Sequence, residues 1–337
     1  MTLYYRPIAQ TDPARPAAAL PLAGTWAWFT HVEELSRHAP PRVIPADAVP
    51  SQVLTRLTAP RASIAGLTLD VPRIMGILNL TPDSFSDGGE FNNPEAAMAQ
   101  VRRMLDEGAH ILDLGGESTR PGAAEVPVDE EIARTAPVIA AIRAEGIGTP
   151  ISIDTRKAAV ARAALSAGAQ LINDVSAFTF DKGMQALAAD TGAPVCLMHA
   201  QGLPETMQDN PDYSDALLDV YDSLETSVAA AEVDGIPRGK ILVDPGIGFG
   251  KRDPHNLALI GRISLFHALG CPILLGVSRK ASIGRIGNIP DPHDRGPASA
   301  AIGLWALGQG VQMLRVHDTE VHRQMIALWR AAEKGQA

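Results

Sequence analysis

Residues 74–83 read Ile74-Met75-Gly76-Ile77-Leu78-Asn79-Leu80-Thr81-Pro82-Asp83. The apolar residues are nearly consecutive rather than alternate, the mark of a strand covered on both faces, as in a parallel sheet. The run stops at an amide and leads into Leu-Thr-Pro-Asp. The Gly-x-Gly-x-x-Gly turn that often follows the first strand of a doubly wound open sheet is missing. Seven further short apolar runs follow, at 111–114, 151–153, 171–172, 195–198, 241–243, 273–275 and 312–315. Eight runs exceed the usual strand number of a doubly wound sheet.

The stretches between the runs read as helices. Pro94 suits a first helical position, and residues 95–107 carry Ala96, Met98, Val101, Met104 and Leu105 close to one helical face. Gly108, Gly168, Gly192 and Gly310 each end a helical stretch just before a strand, where glycine adopts the left-handed cap conformation at little cost. Eight such βα units point to an α/β fold, a (β/α)8 TIM barrel with an N-terminal extension. The division expected is an extension over 1–62 and a barrel over 63–337. The first 70 residues are rich in Pro and Ala and weakly periodic. They hold Trp26, Trp28 and Phe29, which need a surface to pack on, and a short strand is expected near 63–69.

Of the 337 residues, 46% are hydrophobic and only 4% aromatic, so a large aliphatic core is available. The net charge is −9, and no Lys/Arg run exists to attract nucleic acid. Cys196 and Cys271 form no C-x-x-C pair and read as small buried hydrophobes. No apolar stretch reaches the roughly 18 residues of a membrane helix, and no leader pattern opens the chain. A cytoplasmic setting is therefore expected.

In a barrel of this kind chemistry sits at the C-terminal ends of the strands, and nearly every run ends on a polar residue. In order these are Asn79, Gly115-Gly116-Glu117-Ser118-Thr119-Arg120, Asp154-Thr155-Arg156, Asn173-Asp174, His199, Asp244-Pro245-Gly246, Ser278-Arg279-Lys280 and Arg315-Val316-His317-Asp318. Singly, each has a bland reading. Asp154 could cap a helix starting at Thr155, Asp113 could brace the barrel interior, Asp174 a turn, and Glu117 could orient Arg120. His199 could be a core histidine, and Asp318 could pair with a neighbour. Together they would place unpaired charges at one mouth at a cost of several kcal/mol each, which stability alone does not select. Asn79, Arg315 and His317 meet where the barrel closes and suit an anion such as phosphate. Asp154, Asn173 and Asp244 suit a planar heterocycle with N–H donors, with Lys280 at its carbonyl edge. The segments 81–93 and 117–128, rich in Gly, Pro and Ser, read as mobile loops over the mouth.

A series of ordered motifs over about residues 63–334 resembles the dihydropteroate synthases. Met75-Gly76-Ile77-Leu78-Asn79 followed by Thr81-Pro82-Asp83-Ser84-Phe85-Ser86-Asp87-Gly88-Gly89 is similar to the first signature of that family. Asp113-Leu114-Gly115-Gly116-Glu117-Ser118-Thr119-Arg120-Pro121-Gly122 is similar to the second. Ile153-Asp154-Thr155, Ile172-Asn173-Asp174-Val175, Met198-His199, Asp244-Pro245-Gly246-Ile247-Gly248-Phe249-Gly250-Lys251, Ser278-Arg279-Lys280 and Arg315-Val316-His317-Asp318 follow in family order.

The resemblance implies a homodimeric (β/α)8 enzyme of folate biosynthesis that condenses (7,8-dihydropterin-6-yl)methyl diphosphate with 4-aminobenzoate, giving 7,8-dihydropteroate and diphosphate. It implies that Asp154, Asn173, Asp244 and Lys280 hold the pterin, and that Arg315 stacks on it. Arg315, with Asn79 and His317, would hold the diphosphate, and Asn79 would contribute to Mg2+ binding. Thr119 and Arg120 would lie near the diphosphate and the aminobenzoate, Phe85, Asp87 and Pro121 would shape the aminobenzoate pocket, and Met198 and Phe249 would line the sites. Catalysis would rest on Arg315, His317, Lys280 and Arg120. One departure is Ala281, where many relatives carry a serine directly after the lysine; it bears on aminobenzoate and sulfonamide affinity. Two other functions remain open from sequence: a methyltetrahydrofolate:corrinoid methyltransferase, which needs no diphosphate donors, and a non-catalytic binding protein on the same barrel.

Overall fold

In a computed structural model of the chain, residues 2–81, 94–118, 122–202 and 206–335 are described. Eight parallel strands form one sheet: β6 (Arg73–Asn79), β7 (Ile111–Gly115), β8 (Ile151–Asp154), β9 (Leu171–Asp174), β10 (Val195–Met198), β11 (Ile241–Asp244), β12 (Leu274–Leu275) and β13 (Met313–Val316). Their order, β11-β10-β9-β8-β7-β6-β13-β12, closes through a parallel bridge between Val243 and Ile273. The sheet is a barrel, as the eight runs predict. The last strand sits one residue later than its apolar run; the Gln312 side chain accepts from the Ile273 N–H and its carbonyl from the Arg73 N–H.

Helices α2 (Pro94–Asp106), α3 (Val128–Ala144), α4 (Ala158–Ala167), α5 (Gly183–Thr191), α6 (Ala216–Val233), α7 (Asp253–Gly261), α8 (Ala281–Gly287), α9 (Gly296–Gly308) and α10 (Thr319–Lys334) surround it. Gly108, Gly168, Gly192 and Gly310 all have positive φ, the conformation their positions called for.

The first 62 residues are more ordered than their weak periodicity suggests. Strands β1 (Tyr4–Pro7), β4 (His31–Leu35) and β5 (Arg42–Pro45) form an antiparallel sheet, β2 (Leu20–Pro21) and β3 (Trp28–Phe29) a ribbon, and α1 (Ser51–Thr58) a short helix. Their strands are short, and Tyr5, Leu22, Ala27, Phe29, Val32, Ala46, Val49 and Leu57 form a small core that packs on Ala268 of the barrel. Trp26 donates from Nε1 to the Leu307 carbonyl at 2.9 Å and meets Trp329 edge-to-face at 5.8 Å. The expected strand near 63–69 is instead a tight antiparallel turn, in which Ile64 and Leu67 exchange backbone hydrogen bonds across Ala65 and Gly66, both at positive φ. Buried Ile64 and Leu69 pack on Met75, Ile111, Leu171, Cys196, Leu242 and Met313. These strand residues lie at or near the N-terminal ends, so the turn plugs that end and leaves the other for chemistry.

Both cysteines are buried and free, in line with their reading as small hydrophobes. No helix among the described residues is long and apolar enough to cross a membrane.

Candidate active site

At the C-terminal mouth a cleft is lined by Asn173, Asp244, Lys280, Arg315 and His317, with Met198 and Phe249 on its apolar sides. Seven residues singled out from sequence, spread over five strands or the loops after them, therefore share one cleft. Asp154 stands beside it, joined to Arg315. Asn79 ends β6, half-buried, and does not line the cavity. Phe85, Asp87, Thr119, Arg120 and Pro121 lie outside the described residues, as do 82–93 of the first expected loop and 119–121 of the second.

The floor is a charge network. Arg315 Nε donates to Asp113 Oδ2 at 2.5 Å and Nη2 to Asp154 Oδ2 at 2.6 Å. Burial works against the Arg315 charge, but Asp113 and Asp154 outweigh it and hold the guanidinium above its usual range. One cation cannot neutralise two buried carboxylates. Burial, opposed by Arg315 and reinforced by the charge of Asp113, pushes Asp154 up to about 7. Asn173 turns its amide N–H to Asp113 Oδ2 at 3.2 Å. The other oxygens of Asp113 and Asp154 are buried without a hydrogen-bond partner among the described residues. Gly276 borders the cleft, and a Cβ there would stand 3.7 Å from Asp244 Oδ2 and 3.9 Å from the Arg315 side chain.

Asp244 accepts the Gly246 N–H at 2.7 Å, and burial raises its pKa. Burial lowers Lys280 to about 8, against the pull of Asp244. Lys280 Nζ donates to the Ile247 carbonyl and stands 4.3 Å from the Phe249 ring centroid, within cation–π range. It reaches the cleft because Arg279 before it adopts a left-handed φ of 58°, held by an ion pair to Asp318. The His317 N–H donates to Ser278 Oγ at 3.1 Å, and its Nδ1 lies 3.1 Å from the same oxygen.

Several bland readings are decided by this geometry. Asp154 does not cap a helix: α4 starts only at Ala158, with Lys157 at its N-cap, and Asp154 pairs with Arg315 instead. Asp113 is a barrel-interior brace, as read. Asp174 braces a turn by accepting from the Ser176 and Phe178 N–H groups. His199 is a half-buried histidine in contact with Lys251, kept neutral by burial and by that ammonium, with its pKa near 3. Glu117 pairs with Arg156 and Lys157. Sequence reasoning gave no role to Ser278, Gly276, Ile77 or Val175, which line the cleft. Ser278 carried the signal of a polar residue at a strand end and Gly276 that of a glycine just past one; apolar Ile77 and Val175 carried none. Ala281 begins α8 and is exposed.

Comparison with known proteins gives the same picture. A family model described as "Pterin binding enzyme" matches residues 75–317. The dihydropteroate synthase of Synechocystis sp. is 46% identical over 261 residues, covering 76% of this chain and 90% of that protein. A structure of Xanthomonas albilineans dihydropteroate synthase with 4-aminobenzoic acid superposes with a TM-score of 0.76 at 45% identity, covering 81% of this chain and 98% of that one. Another, of the same enzyme with 7,8-dihydropteroate, gives 0.74 at 42%, covering 81% and 99%. The chain belongs to the pterin binding enzyme family and, within it, to the dihydropteroate synthases.

Proposed function

We infer that this chain is a dihydropteroate synthase, a transferase that joins (7,8-dihydropterin-6-yl)methyl diphosphate to 4-aminobenzoate in folate biosynthesis. One observation carries the reading. The buried carboxylates of Asp154 and Asp244 flank an amide, Asn173, at a cleft whose other wall is cationic, from Lys280, Arg315 and His317. An aminopterin ring offers N–H donors on one edge, which suit the carboxylates, and a carbonyl on another, which suits Lys280. The partnerless oxygen of Asp154 supports such a donor arriving with the substrate.

In the reaction the C–O bond between the pterin methylene and the diphosphate breaks, and the diphosphate leaves with the electron pair. The aniline nitrogen forms the new C–N bond and gives up a proton. Arg315 and His317 stabilise the charge that develops on the leaving group. The electron-rich pterin shares positive charge at the methylene, so the aniline needs no strong base. Arg120, Thr119, Phe85, Asp87 and Pro121 are proposed on the aminobenzoate side by family resemblance.

Among the described residues no group of three His, Cys, Asp or Glu could hold a metal. Asn79, at the end of β6, offers an amide oxygen, which fits Mg2+ as an ion held largely by water and substrate phosphate oxygens. When bound, it would neutralise charge on the diphosphate.

A second copy of the chain is the proposed partner. Exposed Leu257, Ile286, Leu304 and Trp305 lie on α7, α8 and α9, and Trp305 Nε1 ties α9 to the Ile260 carbonyl at 3.1 Å. The proposed division remains an extension over 1–62 and a catalytic barrel over 63–337.

Purified protein with Mg2+ should release diphosphate only when both the pterin diphosphate and 4-aminobenzoate are present. Release without the aminobenzoate, or none with both, would overturn the reading.

A further inference from the structure

Lys251 lies outside the cleft described above and is 2% exposed. Its Nζ stands 2.9 Å from the Gly246 carbonyl, 3.0 Å from the Phe249 carbonyl, 3.2 Å from the His199 carbonyl and 2.8 Å from His199 Nδ1. Carbonyl oxygens only accept, so the three N–H groups of Nζ are shared among these carbonyls and the imidazole, and a single side-chain atom gathers the loop after β11 and the end of β10 around itself. The loop is packed tightly enough that its turn needs glycine. At Gly246, φ is +67° and a Cβ would lie 1.9 Å from the His199 carbonyl oxygen; at Gly250, φ is +62° and the corresponding distance to the Gln201 carbonyl oxygen is 2.3 Å. Two further donors tie the loop from outside, Gln208 Nε2 to the Gly248 carbonyl at 2.6 Å and Tyr213 OH to the Gly250 carbonyl at 2.8 Å.

The loop's other face makes part of the cleft. The Ile247 carbonyl accepts from Lys280 Nζ, and the Phe249 ring stands over the same ammonium. We propose that Lys251 is a positioning residue for the pterin site: by fixing the Gly246 and Phe249 carbonyls from beneath, it sets where Phe249 and the Ile247 carbonyl hold Lys280. This rests on the pterin reading of the cleft, which the parent enzyme's own binding of the pterin diphosphate tests separately.

Lys251→Met keeps the length of the chain and removes the donors. Calorimetry with the pterin diphosphate should show binding weakened about tenfold or more, while the KM for 4-aminobenzoate stays within about twofold. Because Lys251 acts through Phe249, Lys251→Met and Phe249→Leu should be non-additive: the double variant should bind about as weakly as Lys251→Met alone. Additive losses, equal losses for both substrates, or unchanged pterin binding would each overturn the proposal. If circular dichroism shows that Lys251→Met does not fold, a second pair decides. His199→Gln keeps a side-chain acceptor and should bind the pterin diphosphate like the parent, whereas His199→Leu should bind it several-fold more weakly. Equal behaviour of the two would overturn it as well.

Discussion

Asp154 shows how one residue can serve the site at the expense of the fold. It shares Arg315 with Asp113, and burial raises its pKa to about 7. The unfolded chain releases that proton near pH 4 and the folded chain near pH 7, so the stability present below pH 4 is lost as pH rises through about 7. Asp154→Asn removes this loss, and Asp113 still pairs the guanidinium. Scanning calorimetry should therefore find the variant's Tm advantage larger at pH 8 than at pH 5. Function should move the other way. The charged carboxylate is the better acceptor, so kcat/KM for the pterin diphosphate should rise with pH through about 7. In Asp154→Asn that limb should vanish, with kcat/KM down about 100-fold, as expected for loss of charged hydrogen bonds. A variant with unchanged pterin affinity would remove Asp154 from the site.

At the scale of elements, the barrel separates stability from chemistry along its axis. The turn at Ile64 and Leu67 fills the N-terminal end with aliphatic side chains, and the opposite end carries the charged cleft. Ile64 is fully buried, so Ile64→Ala should cost about 2–5 kcal/mol through lost burial and a cavity, readable by urea denaturation. The KM values should stay within about twofold, because none of the described cleft residues belongs to the cluster that the turn packs in. A large change in pterin KM without loss of stability would contradict this division.

At the scale of the whole molecule, the extension and the helical shell each cover a face. The extension is tied to α6 by Arg37 to Asp219 at 2.5 Å and to Asp222 at 2.7 Å, by Tyr4 OH to Asp222 at 2.9 Å, and by Arg56 to Glu225 at 2.9 Å. The face of α7, α8 and α9 keeps large apolar side chains exposed, Trp305 at 51% and Ile286 at 60%. A two-fold assembly would bury the same patch on both copies. Trp305→Glu places a charge at that patch twice over and should convert a dimer to monomer in sedimentation velocity, with the fold retained by circular dichroism. A parent chain that sediments as a monomer would refute the dimer.

The barrel was legible because its signals are local. Consecutive apolar residues mark strands covered on both faces, and glycines such as Gly168 and Gly310 mark helix ends by a backbone angle that other residues reach only at a cost. The candidate site was legible in kind, since polar residues at strand ends have few other uses in this fold. What the chain order could not decide was partnership. Whether Asp154 caps a helix or meets Arg315, and whether Lys251 faces water or sits among three carbonyl groups, depends on residues brought together by barrel closure. The extension was opaque for the same reason: its strands are too short to show a period, and its small core forms only when distant residues such as Tyr5, Phe29 and Leu57 meet over Ala268. Local sequence determined the elements and the types of group available to the chemistry; long-range packing, through burial and the charges it brings near one another, decided their pairing and protonation.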